Sequence, residues 1–219
     1  MTIRALDIFL SLSAMIFLVP ILLPIIVILR FTGEGEVFYI QDRVARGGNF
    51  FGLYKFATML KNSPNIGTGV ITVRDDPRVL PFGKLLRKTK LNELPQLWNI
   101  FIGDMSVVGP RPMVPETYAH YPEEARNKLN TISPGLTGIG SIVFRDEERH
   151  LVNRDDPKKF YREKIIPYKS DLEIWFVEHN SIGLYFKIIF VTAWVVIFPS
   201  SLIFDKAFSD IPKLPNELK

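Results

Sequence analysis

The segment LNELPQLWN (residues 91–99) carries one carboxylate, Glu93, directly after an amide, Asn92, and six residues after Arg87, with Lys88 and Lys90 in between. A carboxylate beside clustered cations suits a divalent metal carried on a phosphorylated ligand: the acid supplies a hard oxygen ligand and the cations neutralise phosphate charge. Pro95 is tolerated only in the first turn of a helix, so a helix is expected to begin at or just after Asn92, with Asn92 and Glu93 at its N-terminus. Two readings follow. In one, Asn92 caps the helix, Glu93 offsets its dipole, and Arg87, Lys88 and Lys90 form a solvated basic face. In the other, the helix start and the three cations bind a di- or pyrophosphate, with Glu93 holding a metal on it. Local spacing leaves both open.

The elements that must position these residues can be read around them. The run FGKLLRKTKLNELPQLWNIFIG places Leu86, Leu94, Leu97, Trp98 and Phe101 partly at helical spacing, and Gly103 closes it. Asp104 reads as a turn residue. Upstream, EVFYIQDRVARGGNFFGLYKFATM alternates short apolar runs around Gly47 and Gly48, which predicts a small hairpin ending near Lys55. NSPNIGTGVITVRDDPRV reads as loop, with Asp75, Asp76 and Pro77 as turn formers. FRDEERHL (residues 144–151) reads as a solvated helical segment in which His150, near Glu147 and Glu148, is a surface residue rather than a metal ligand.

Composition sets the environment. The 219 residues are 47% hydrophobic with a mean hydropathy of +0.14, too apolar for an ordinary soluble domain. The net charge of +4 fits an anionic membrane surface or phosphorylated substrates and is too small to argue for nucleic acid. The absence of cysteine excludes disulfides, thiolate metal sites and cysteine catalysis. Two apolar blocks bracket a mixed-polarity middle. The first, Ile8 to Leu29, is 22 residues without a charge, about 33 Å of helix. No small-residue cleavage site follows it, as a removed signal peptide would require. Pro20 and Pro24 sit inside it, so a kink near Pro20 is expected, and two short arms could enter and leave the same leaflet; a kinked spanning helix is the alternative. Arg4 and Arg30 flank the block evenly and leave its topology unsettled. The second block, Ile182 to Phe204, is interrupted by Lys187 and Pro199, and Tyr185 and Trp194 suit a headgroup boundary. It is expected to lie on the membrane, with a spanning helix as the competing reading.

Three stretches, VFYIQDRVARGGNFFGLYKFATM, DDPRVLPFGKLLRKTKLNELPQLWNIFIGDMSVVGPRPMVPE and SPGLTGIGS, resemble in order and spacing the bacterial sugar transferases known as monotopic phosphoglycosyl transferases. The resemblance runs from about residue 8 to 205, and its most specific block is LPQLWNIFIGDMSVVGPRP. It implies transfer of a sugar phosphate from a UDP-sugar to polyprenol phosphate with Mg²⁺, giving a polyprenyl diphosphate sugar for cell-surface polysaccharide biosynthesis. It also implies a re-entrant helix in one leaflet broken at a proline, and Pro20 lies at the matching distance, although Val19 stands where the family often has serine. Lys55 and Arg87 match basic positions of the family's active site, with Lys88 and Lys90 alongside as substrate-binding candidates. Arg111, between Pro110 and Pro112, would have its planar fork held for a phosphate or uridine contact. Ala57 and Ser133 stand where basic residues are usual. Most consequential is Asn92, at the place of the aspartate that attacks the donor phosphorus in the family, because a neutral amide is a poor nucleophile and a weak metal ligand.

Three outcomes are compatible with that substitution: Glu93 is the nucleophile and metal ligand, or polyprenol phosphate attacks directly, or the chain is a catalytically silent homologue acting as scaffold or nucleotide-sugar-binding partner. An active enzyme is preferred, because phosphoryl transfer depends mostly on positioning and charge stabilisation. The expected architecture is an α/β monotopic membrane protein with a small sheet, interfacial helices and no deep soluble core. It divides into a re-entrant helix (residues 1–31), a catalytic domain (32–181) and a membrane-associated end (182–219). The expected partners are a UDP-sugar, polyprenol phosphate, the lipid bilayer and, as an open alternative, a second copy of the chain, with no nucleic acid. The expected location is the bacterial inner membrane, with the active domain on its cytoplasmic face.

Overall fold

The computed structural model describes residues 2–67, 76–152, 154, 156–199 and 201–218. Its contacts divide the chain into two compact units, one of residues 1–42 and 52–103, the other of 43–51 and 104–219. The expected turn former Asp75 lies outside the described residues.

The first unit opens with α1 (Thr2–Phe31), helical through both Pro20 and Pro24 and long and apolar enough to cross a bilayer. Its buried residues fall at its two ends, Asp7 and Ser11 near the start and Ile25 and Leu29 near the finish. Between them Ile16, Phe17 and Leu23 are exposed, Phe17 by 82%. Near the start, the Arg4 guanidinium donates to the carbonyls of Ile100 and Phe101 at 2.5 and 2.6 Å. Near the finish, Ile25 and Leu29 pack into a cluster with Phe56 and Leu86. Both ends are thus held by the same unit.

Strands β1 (Phe38–Val44) and β2 (Phe50–Phe56) pair as the hairpin expected from Gly47 and Gly48. Those two adopt φ of 78° and 77°, the left-handed region open to glycine, and Ala45 N–H closes the turn on Asn49 O at 2.7 Å. Strand β2 runs one residue past Lys55 to Phe56. Asp76 and Pro77 stand in a turn as expected, closed by Val79 N–H on Asp76 O at 3.1 Å; Asp76 also forms a buried ion pair of 2.6 Å with Arg78, whose guanidinium donates to Ser63 O and Ile66 O.

Helix α2 (Pro81–Lys88) begins on a proline, and α3 (Gln96–Ile102) ends on Gly103 as expected. The start of α3 corrects the sequence reading. A 3-10 turn, Leu91–Glu93, precedes it, and the residue before the helix is Pro95. Pro95 has no N–H to give, so the bonds ahead of it close over three residues instead: Glu93 N–H to Lys90 O at 3.1 Å and Leu94 N–H to Leu91 O at 3.2 Å. The buried Asn99 of α3 then holds β2, its Oδ1 accepting from Tyr54 N–H at 3.0 Å and its Nδ2 donating to Gly52 O at 2.8 Å.

In the second unit β3 (Ser106–Val108) pairs in parallel with β4 (Gly135–Thr137), Ser106 opposite Gly135 and Val108 opposite Thr137. Between them lie α4 (Pro115–Ala119) and α5 (Glu123–Leu129). The chain continues through α6 (Ile139–Val143), a 3-10 turn (Glu147–Leu151), α7 (Pro157–Phe160), a π-helical turn (Tyr161–Ile165), α8 (Ile166–His179), α9 (Ile182–Ile197) and α10 (Ile203–Ala207). Among the described residues the expected small sheet is two two-stranded sheets. The expected architecture has no deep core, whereas the second unit has a packed one: Ile139, Ile165, Leu172 and Ile188 are fully buried, because α6, the π-helical turn, α8 and α9 each turn apolar side chains inward. The segment 144–151 is not a solvated helix throughout, since Phe144 is buried and Glu147 turns in to Lys169.

Apart from Lys187 and Thr192, helix α9 is apolar on both faces. Leu184, Tyr185, Ile188, Val191 and Val195 face inward, while Phe186, Phe190, Trp194 and Ile197 are exposed. Tyr185 therefore sits in the protein interior, on the inward stripe, and only Trp194 remains for a headgroup boundary. At 16 residues the helix measures about 24 Å, short of the ~30 Å hydrocarbon core.

Candidate active site

Five of the predicted site residues fall in one short stretch of the first unit. Arg87 and Lys88 end α2, Lys90 adopts a left-handed conformation (φ 59°), and Asn92 and Glu93 lie in the 3-10 turn that follows. The reversal at Lys90 lets α2 and the turn fold against each other, with Leu86 and Leu91 in the same apolar cluster. Lys55 lies half-buried on β2, beside Phe56, which belongs to that cluster too. Arg87 Nη1 reaches Met59 Sδ at 3.7 Å, just beyond β2. Gly83 of α2 comes so close to Thr58 that a Cβ would lie 2.2 Å from Thr58 O.

Asn92 does not cap a helix. It is 8% exposed and its Oδ1 is buried without a hydrogen-bond partner, an arrangement that costs free energy unless something else uses the oxygen. The reading in which a helix N-terminus gathers phosphate is likewise corrected, because α3 starts beyond the turn and has only seven residues. What remains is a half-buried carboxylate, Glu93, next to an orphaned amide oxygen, with cations on the preceding helix and turn. Among the described residues no group of three or more His, Cys, Asp or Glu gathers to hold a metal. The Glu93 carboxylate with the amide oxygen of Asn92 would suit Mg²⁺ only with further oxygens from a substrate phosphate, the way Mg²⁺ is commonly bound.

Arg111 belongs to the second unit. Pro110 O accepts from Gly135 N–H at 2.7 Å and Pro112 O from Arg43 Nη1 at 2.9 Å. A cavity of about 20 Å³, room for a single water, is lined by Arg111, Pro112, Tyr118, Asn130 and their neighbours. Pro20 and Pro24 lie in the exposed middle of α1.

Sequence reasoning missed a buried polar cluster in the second unit. Lys169 pairs with Glu147, lies 3.4 Å from the Tyr161 hydroxyl, and has its ammonium over the Phe144 and Tyr161 rings at 5.0 and 5.4 Å. Burial works against its charge, but the Glu147 carboxylate and Tyr161 more than offset this, so Lys169 titrates above the ordinary range. Glu173, one turn on, is pushed up to about 7 by burial, against the opposing effects of Lys169 and of the Arg111 backbone N–H. The available signal was an acid inside the stripe Ile166, Ser170, Leu172 and Phe176, which the helix buries.

The sequence model of the bacterial sugar transferases matches residues 1–199. The chain is 33% identical over 194 residues to an undecaprenyl-phosphate glucose phosphotransferase of Komagataeibacter xylinus, covering 86% of this chain and 34% of that protein. It is 32% identical over 190 residues to a UDP-glucose:undecaprenyl-phosphate glucose-1-phosphate transferase of Xanthomonas campestris pv. campestris, covering 85% and 37%. It is also 32% identical over 203 residues to the exopolysaccharide production protein PSS of Rhizobium leguminosarum bv. phaseoli, covering 86% and 92%. The chain thus spans about a third of the two named transferases and nearly all of PSS.

Proposed function

The chain belongs to the bacterial sugar transferase family, and on that premise we propose that it moves a sugar 1-phosphate from a UDP-sugar to polyprenol phosphate at the inner membrane, with its active face to the cytoplasm. The observation that carries this reading is the turn of residues 91–93, where Glu93 stands beside the unpartnered amide oxygen of buried Asn92 and Arg87, Lys88 and Lys90 lie just upstream. An anionic oxygen attacks the sugar-bearing phosphorus in line, the bond from that phosphorus to the bridging oxygen breaks, and UMP leaves with the electron pair. The attacking oxygen belongs to the acceptor phosphate, or to Glu93; in the second case the acceptor phosphate then attacks the same phosphorus, the bond to the Glu93 oxygen breaks, and the carboxylate is restored. Glu93 and the Asn92 oxygen would hold Mg²⁺, which when bound neutralises charge on the diphosphate. Lys55 and Arg87 neutralise the charge that builds on the phosphoryl oxygens. In the second unit, Arg111 is the candidate for a contact to a phosphate or the uridine of a donor.

Membrane attachment is proposed to be monotopic. Arg4 at one end of α1 and Leu29 at the other are both held by the first unit, with the exposed apolar middle between them. Along a straight helix these residues would stand about 37 Å apart, on opposite sides of a bilayer, where one water-borne body does not reach both. A bend at the prolines brings both ends to one side. In the second unit, the exposed apolar face of α9 is proposed to lie on the membrane rather than to cross it.

A second reading, a catalytically silent scaffold that keeps the donor site, is favoured by the amide of Asn92 itself. The deciding experiment is UMP release from a panel of UDP-sugars with Mg²⁺, with and without polyprenol phosphate. Release without acceptor assigns the attack to the protein, and release that needs acceptor assigns it to the lipid phosphate. No release from any donor overturns the transferase reading.

A further inference from the structure

The second unit holds an acid that the proposed reaction does not use. Glu173 sits in α8 at 4% exposure. Its carboxylate lies against the backbone of α6, so close that a Cβ on Gly140 would stand 2.4 Å from Oε1. It accepts a hydrogen bond from the backbone N–H of Arg111, while Oε2 is buried without a hydrogen-bond partner. That single bond matters because of where it lands. Pro110 and Pro112 have no N–H, so Arg111 offers the one main-chain donor of the Pro-Arg-Pro triplet. The flanking carbonyls are taken by Gly135 N–H and the Arg43 guanidinium, which leaves Glu173 as the tether on the donor side.

We propose that Glu173 is a positioning residue for Arg111, fixing the backbone of the triplet so that the exposed Arg111 side chain is presented in one orientation to an anionic group of the donor. The donor contact rests on the function proposed above; the tether does not. The α8 side chain one turn earlier, Lys169, faces Glu173, and so does Tyr121, just ahead of α5. Helix α5 itself packs through Ala125 and Leu129, and α6 brings the backbone of Gly140. Glu147 and Tyr161 engage Lys169 from the far side. Because burial raises Glu173 to about 7, the tether alternates near neutral pH between a carboxylate, a strong acceptor, and a carboxylic acid, a weaker one. Orientation of Arg111 therefore loosens as pH falls through that value.

The test uses the full chain in lipid nanodiscs, labelled with ¹⁵N-arginine, with the Arg111 amide assigned by its loss in Arg111→Lys. Between about pH 5.5 and 8.5 the wild-type amide signal should shift with a midpoint near that of a raised carboxyl, and in Glu173→Gln it should not move. A flat wild-type signal, or one that titrates equally in Glu173→Gln, overturns the tether. Kinetics supply the second arm. Glu173→Gln should raise KM for the UDP-sugar about tenfold at high pH with kcat changed far less, and should flatten the pH dependence of KM. Gly140→Ala, which displaces the carboxylate from the α6 side, should reproduce the rise in KM. Unchanged KM in both variants overturns the link to the donor. A wild type inert toward every donor sinks the transferase reading and leaves the NMR arm to decide the tether alone.

Discussion

Asn92 is buried with its amide oxygen unpartnered, so a charge placed there has no helix N-terminus to stabilise it. Asn92→Asp should lower stability by about 1–3 kcal/mol, and Mg²⁺ with donor should restore it, read as the melting temperature with and without both. If the surrounding site is a phosphoglycosyl transferase site, the same variant given donor and Mg²⁺ but no acceptor should gain a phospho-sugar adduct by intact-protein mass spectrometry. Glu93→Gln should abolish turnover in either background, and wild-type transfer by that variant would remove the turn from the active site. Glu173 makes a prediction of opposite sign to an ordinary paired acid. Its folded value is raised from 4.5 to about 7, so the folded state binds the proton more tightly, and the wild type loses stability as pH rises across that window. At about 1.4 kcal/mol per unit this amounts to roughly 3 kcal/mol. Glu173→Gln lacks the loss, so its melting temperature relative to wild type should climb between about pH 5 and 8; parallel curves would count against the buried charge. Glu93 and Asn92 are legible in the sequence because their neighbours carry a specific pattern. Glu173 and its tether are not, since Arg111 lies more than sixty residues away and only the fold brings them together.

At the scale of elements, what is legible is what one segment decides by itself. Gly47 and Gly48 fix the hairpin, an uncharged apolar run fixes α1, and Pro199 lies beyond the end of α9. The start of α3 is less legible because it depends on which bonds the chain makes ahead of a proline, and Lys90 reverses the chain in a conformation few lysines adopt. The inward stripe of α9 depends on α6, β3 and β4 packing against it, so Tyr185 cannot be sorted from Trp194 by spacing alone. Arg4 ties two elements together: its guanidinium donates to the carbonyls of Ile100 and Phe101 at the end of α3, where Ile100 O also accepts from the capping Gly103 N–H at 3.2 Å. Arg4→Gln should cost about 1.5–3 kcal/mol and speed amide hydrogen exchange in residues 2–11 and 96–102. Unchanged exchange in both segments would mean that α1 is held at its start by packing alone.

For the molecule as a whole, the two-ended anchoring of α1 is the ground for the proposed monotopic topology. The chain has no cysteine, so single cysteines introduced at Thr2 and Thr32 can be labelled cleanly in oriented vesicles, and both should react from the same side with an impermeant maleimide. Reaction from opposite sides would establish a spanning helix and overturn the monotopic reading. Membrane affinity itself is legible in composition, whereas the anchoring of both ends of α1 in the first unit is not, because it rests on Arg4 finding the end of α3 and on Leu29 finding Phe56 and Leu86. The bare middle of α1, with Phe17 foremost, has a mechanical consequence. If both ends of α1 lie on one surface, as proposed, the helix works as a wedge: it adds volume to one leaflet and none to the other. No polar segment has to cross the bilayer, so insertion needs no translocated loop, and the energy of insertion depends on how loosely the outermost lipids of that one leaflet are packed. Curved or thinned membrane, where that packing is relaxed, is the surface on which such a wedge seats most readily.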